Sequence, residues 1–69
     1  MLEKNIEYLR KKQGISVMEL ATTAGVTRQT IYDYENGKKM PNPYRLLAIA
    51  KKLGTTCEIL LECDVSEKQ

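Results

Sequence analysis

Histidine, phenylalanine and tryptophan are absent from the 69 residues, and cysteine and proline each occur only twice. A zinc site needs about four nitrogen or sulfur ligands, so two cysteines without histidine do not make one. Cys57 and Cys63 lie six positions apart, about 240° around a helix, which rules against an intrahelical disulfide. Cys57 is expected as a small apolar residue and Cys63 as a thiol near the tail, both reduced. No apolar run approaches the roughly 20 residues that span a bilayer. The first residues, "MLEKNIEYLRKK", lack the apolar centre of a secretory signal. A soluble, cytoplasmic protein is therefore expected, with no membrane partner. There is also no activated nucleophile and no glycine-rich phosphate loop, so the chain does not read as an enzyme. No cofactor, metal or small-molecule ligand is expected.

What is present is an ordinary apolar share, 42%, in a chain long enough for one small core and no more. Leucine, isoleucine, valine, alanine, methionine and some of the four tyrosines must fill it. The net charge of +2 hides an uneven distribution. Residues 1–57 hold ten Lys/Arg against five Asp/Glu (+5), and residues 58–69 hold one against four (−3). A basic body with an acidic tail points to a polyanion bound away from the tail, although scattered solvated charge would look the same.

Apolar residues recur at spacings of three and four, not two, so every element reads as a helix. The first runs from roughly Glu3 to Gln13, with Leu2, Ile6 and Leu9 on one stripe and Gly14 as its stop. Ser16 caps a second helix, Glu19 supplies the fourth position of a capping box, and Leu20, Ala21 and Ala24 face inward. Thr27 caps a third helix from Arg28 to about Asn36, which stops at Gly37. Asn42 caps a fourth that begins with Pro43, where a missing N–H costs nothing. Its apolar face is Leu46, Leu47, Ile49, Ala50 and Leu53. Thr56 caps a short fifth helix carrying Ile59, Leu60 and Leu61, and the tail "CDVSEKQ" reads as frayed or free to pair with another chain. Tyr8 and Tyr44 are expected to be partly buried with their hydroxyls in water. Residues 1–62 thus form an all-α five-helix domain and residues 63–69 a short acidic tail.

The third helix, "TRQTIYDYENGKK" with its cap and stop, has an unusual outer face. With Ile31 set inward and about 100° per residue, Tyr34 and Glu35 fall on the buried side. Gln29, Asp33 and Asn36 point away, with Tyr32 on the flank and Arg28 at the free end. A thin helix bearing hydrogen-bonding side chains fits the DNA major groove: Arg pairs with guanine, Gln with adenine and Asp with cytosine N4. Thr27 sits beside unpaired N–H groups that suit a phosphate. A plain solvated face would present similar residues. The preceding helix and turn favour the first reading, because Ala21 lets two helices approach and Gly25 permits the tight turn of a helix-turn-helix.

On the strings "IEYLRKKQGIS", "ELATTAGVTRQTIYDYENGK" and "NPYRLLAIAKKLGTTCEILL", the chain resembles the Cro/C1-type helix-turn-helix family of small phage repressors and bacterial regulators. The resemblance runs from about Ile6 to Leu61. It implies that Val17–Ala24 supports and Arg28–Asn36 recognises DNA. Arg28, Gln29 and Asp33, with Tyr32 beside them, stand at base-contacting positions, and Thr27, Asn36, Lys38 and Lys39 at phosphate-contacting ones. Arg10 and Glu35 match a buried ion pair found in some phage repressors. Val17 departs from the family, which usually places a phosphate-binding Gln there; with Met18 it could form a protein-binding patch instead.

The expected function is that of a sequence-specific transcriptional regulator, a repressor by family, bound to double-stranded DNA as a homodimer on a pseudo-palindromic operator. The dimer surface is expected on Ile59, Leu60, Cys63 and Val65. The competing expectation is a protein-interaction module, or an antitoxin-like subunit, built on the same fold.

Overall fold

The computed structural model describes residues 1–68; Gln69, the last residue of the expected tail, lies outside them. Five α-helices follow one another: α1 (Leu2–Lys12), α2 (Val17–Ala24), α3 (Arg28–Glu35), α4 (Pro43–Leu53) and α5 (Cys57–Glu62). A 3-10 turn (Val65–Lys68) comes last, and the described residues contain no strand.

The starts of α2 to α5 are set by local chemistry. The side chains of Ser16, Thr27, Asn42 and Thr56 each accept the backbone N–H three residues on, at 2.9–3.2 Å. Each cap satisfies one of the donors a helix start leaves open and contributes about 1 kcal/mol. The Glu19 carboxylate feels the Ser16 backbone N–H, the return half of the expected capping box, and also meets Lys52 at 2.9 Å. That contact joins the start of α2 to the end of α4 on the surface. α1 ends one residue earlier than its pattern predicts: Gln13 leaves the helix and donates its side-chain N–H to the carbonyl of Leu53, 2.6 Å away.

α2 packs against α3 and α4, while α1 lies across α3, α4, α5 and the 3-10 turn. Ile6, Leu20, Ile31, Ile49, Leu53 and Leu60 are the largest fully buried apolar side chains, contributed by all five helices. Truncating any of them to alanine costs about 2–5 kcal/mol, a large share of a small domain's stability.

Four expectations change here. Leu47 is 46% exposed, because it lies about 100° from Leu46 and off the stripe formed by Leu46, Ile49, Ala50 and Leu53. Leu60 is fully buried against α1 and cannot face a partner; its neighbours Ile59 and Leu61 are the exposed leucine-type residues of α5. The segment that leaves α5 is not frayed at residues 63–65. The buried Asn5 of α1 donates to the carbonyls of Leu60 and Cys63 and accepts from the N–H of Val65, which docks the turn onto α1. Tyr44 is 85% exposed, so it is not the half-buried tyrosine its sequence suggested. Cys57 and Cys63 are free thiols, both partly buried.

Candidate nucleic-acid interface

The interface candidate begins with the turn between α2 and α3. Gly25 adopts φ +73°, a left-handed conformation that strains any residue with a β-carbon, and nothing within 4 Å crowds the position. The backbone, not the space, requires glycine there. Val26 then donates its N–H to the Ala21 carbonyl at 3.0 Å, closing the turn. Ala21, 2% exposed, leaves room for α3 to cross close above α2.

α3 is fixed from beneath. Ile31 and Tyr34 enter the core, and Glu35 meets Arg10 of α1. Arg10 Nε lies 2.7 Å from Glu35 Oε2 and Nη2 lies 3.3 Å from Oε1, a two-pronged contact. Its Nη1 also donates to the Ile15 carbonyl at 3.1 Å, tying the turn before α2 into the same clamp. The hydrogen bond that Arg10 donates to Glu35 is the main reason that its guanidinium holds its proton above the usual arginine range. Because both side chains are nearly buried, the clamp orients α3 far more rigidly than a surface pair would.

On the outer side, Arg28, Gln29, Tyr32 and Asn36 are exposed along α3. Tyr32 is 46% exposed, consistent with its flank position. Thr27 and Lys38 are exposed at the two ends of the helix, and Lys39 stands beside Lys38. The lysines are brought there by the chain's reversal at Gly37, φ +75°, where the N–H groups of Lys38 and Lys39 both bond to the Asp33 carbonyl. The Thr27 hydroxyl already caps α3, and it also contacts the Thr30 hydroxyl at 3.0 Å.

Asp33 does not point freely outward as its helical position suggested. Its carboxylate takes the Gln29 side-chain N–H on Oδ1 at 3.1 Å and faces Lys39 Nζ on Oδ2 at 3.6 Å. Those neighbours, with the returning chain, leave its side chain 12% exposed. At the start of α2, Val17 packs partly against the core while Met18 beside it stands exposed.

Sequence reasoning overlooked Asn5, Gln13 and Arg45. Arg45 lines an open groove of about 500 Å³ beside α3, together with Thr27, Thr30, Tyr34 and Lys39. Its place one turn into α4 put it close to Lys39, and only the course of the loop through Pro41 could reveal that. Among the described residues, no three His, Cys, Asp or Glu side chains cluster as metal ligands. No described helix is long and apolar enough to cross a membrane.

Two helices crossing at a tight glycine turn, the second buried on one side and polar on the other, define a helix-turn-helix domain. A family model described as helix-turn-helix matches residues 6–60. The P22 c2 repressor, solved in complex with a synthetic operator, is 31% identical with a TM-score of 0.87, covering 93% of this chain and 97% of that one. The solution structure of the P22 c2 DNA-binding domain is 30% identical with a TM-score of 0.89, over 100% of this chain and 91% of that one. SinR, described as the master regulator for biofilm formation and solved with DNA, is 28% identical with a TM-score of 0.80, over 90% and 100%. A search of curated proteins gives no significant match. This chain belongs to the helix-turn-helix family of the Cro/C1, phage-repressor-like type, whose members are DNA-binding regulators and not enzymes.

Proposed function

We propose that this protein is a sequence-specific transcriptional repressor of the cytoplasm that reads double-stranded DNA by placing α3 in the major groove. The observation that carries this reading is the exposed row Arg28, Gln29, Tyr32 and Asn36 on a helix clamped from below by Arg10 and Glu35. Arg28 and Gln29 are the base readers, with Tyr32 on the flank. Thr27, Asn36, Lys38 and Lys39 hold the phosphates on either side. Residues 1–62 act as the DNA-binding unit, and the acidic tail of residues 63–69 stays clear of the polyanion.

Two copies would sit on a pseudo-palindromic operator with recognition helices about 34 Å apart, one turn of DNA. With Leu60 in the core, the surface for the second copy is Ile59 and Leu61, flanked by Cys63 and Val65. Sedimentation on a symmetric site tests this: a 2:1 complex is expected, reduced to 1:1 by Ile59→Lys, and a 1:1 complex of the unaltered protein would overturn it. The DNA reading is tested by salt titration. Six phosphate contacts give a slope of log affinity against log salt of about −5, whereas an apolar protein contact gives almost none. The second outcome would favour a protein-interaction or antitoxin-like role, for which the exposed Met18 is the supporting observation.

A further inference from the structure

The contact between Gln29 and Asp33 is chemically one-sided. A carboxylate only accepts, so the Gln29 amide must turn its NH₂ toward Asp33 Oδ1, 3.1 Å away. One N–H is then spent, and the amide has one N–H and its carbonyl oxygen left for DNA. That remainder is complementary to adenine, which offers N7 as acceptor and N6 as donor in the major groove. Guanine offers two acceptors, N7 and O6, and an unengaged glutamine amide could meet both with its two N–H groups. The Gln29 amide held by Asp33 cannot.

Asp33 itself is poorly placed to read a base. Its Oδ1 is engaged by Gln29, its Oδ2 faces the Lys39 ammonium at 3.6 Å, and only 12% of the side chain is exposed. Lys39 also offsets the negative charge that would otherwise meet the DNA backbone. On the reading of α3 as the recognition helix, we propose that Asp33 is a positioning residue: it presents Gln29 as an adenine reader and excludes guanine by occupying the second N–H.

Selection from a random duplex pool, followed by titration of the selected site and its adenine-to-guanine variant, tests this on the whole protein. The wild type is expected to prefer adenine at one base pair that Gln29→Ala abolishes. Asp33→Ala should lower the adenine-over-guanine ratio at that same base pair by about tenfold, the lower part of the range for one bidentate base contact. Asp33→Asn keeps an acceptor oxygen and should retain more of the ratio than Asp33→Ala. In a Gln29→Ala background, Asp33→Ala should change nothing further at that position. Thermal melting of each variant separates loss of fold from loss of reading, and Asp33→Asn carries the test if the alanine variant does not fold. An unchanged ratio in a folded Asp33→Ala variant would overturn the proposal, as would loss of a cytosine preference at a different base pair. A wild type that enriches no sequence at all would instead overturn the DNA-reading function and this inference with it.

Discussion

Arg10 on α1 and Glu35 on α3 meet at 2.7 Å with side chains 10% and 4% exposed, so α3 is held by a nearly dry ion pair. Removing one partner leaves the other charged and buried. Glu35→Gln or Arg10→Met is expected to destabilise the fold by about 3–5 kcal/mol, while Arg10→Met with Glu35→Leu should recover much of that. Urea unfolding of the two single variants and the double variant measures it. A double variant as unstable as the two singles summed would mean that the residues do not act as a pair.

Asn5 is the other buried polar group with a structural role. Its amide satisfies two carbonyls and one N–H of the segment after residue 59, so Asn5→Ala strands three backbone groups. A loss of about 1–3 kcal/mol is expected, since a buried polar group left unpaired costs its full desolvation. Asn5→Asp should be worse, because a carboxylate would face the oxygens of Leu60 and Cys63. Hydrogen exchange reads the cause directly: the Val65 amide should lose protection in Asn5→Ala before the amides of α2 and α3 do.

The two kinds of contact assigned to α3 and its flanks separate by their dependence on sequence and salt. Arg28→Ala is expected to cost about 1–3 kcal/mol on the specific site and to relax the preference at one position. Lys38→Ala should weaken all sequences alike and reduce the salt slope by about one unit. Binding titrations on specific and scrambled duplexes at several salt concentrations distinguish them. A change of sequence preference in Lys38→Ala without one in Arg28→Ala would reverse the two roles.

The surface contact between Glu19 and Lys52 gives a pH signature. Lys52, by hydrogen bond and then by charge, holds the Glu19 carboxyl below its ordinary 4.5, with a smaller contribution from the Ser16 N–H. A folded-state value below the unfolded one means the contribution is complete above the ordinary value. It is lost as pH falls through the lowered one. Glu19→Gln should therefore lower stability slightly above pH 4.5, leave it unchanged at the acid end where Glu19 is protonated, and so flatten the acid limb by that small amount, the pair being exposed. Melting temperatures measured across the acid range test the sign; a steeper acid limb in Glu19→Gln would contradict it.

The four capped helix starts were legible because a cap is written within four residues: Ser16, Thr27, Asn42 and Thr56 act on N–H groups three positions on. The inward set of α3 was legible for the same reason, since Ile31, Tyr34 and Glu35 follow the helical period. The Ile59-Leu60-Leu61 run defeated that reading. Three adjacent apolar residues in a six-residue helix carry no period, and only the positions of α1 and α4 select Leu60 for the core. Asp33 failed for a mixed reason. Its bond to Gln29 is an i,i+4 pair that the sequence does contain, but Lys39 reaches it only because the chain reverses at Gly37. Asn5 left no local trace, since its partners lie 55 to 60 residues away.

That separation has a consequence during synthesis. A ribosome adding about 5–20 residues per second delivers α1 several seconds before the carbonyls and the N–H that Asn5 needs. Throughout that interval the Asn5 amide has only water for company, and the face of α1 that receives α5 stays open. Arrival of α5 and the turn behind it is therefore the closing step that expels that water and seals the face of α1 around Asn5.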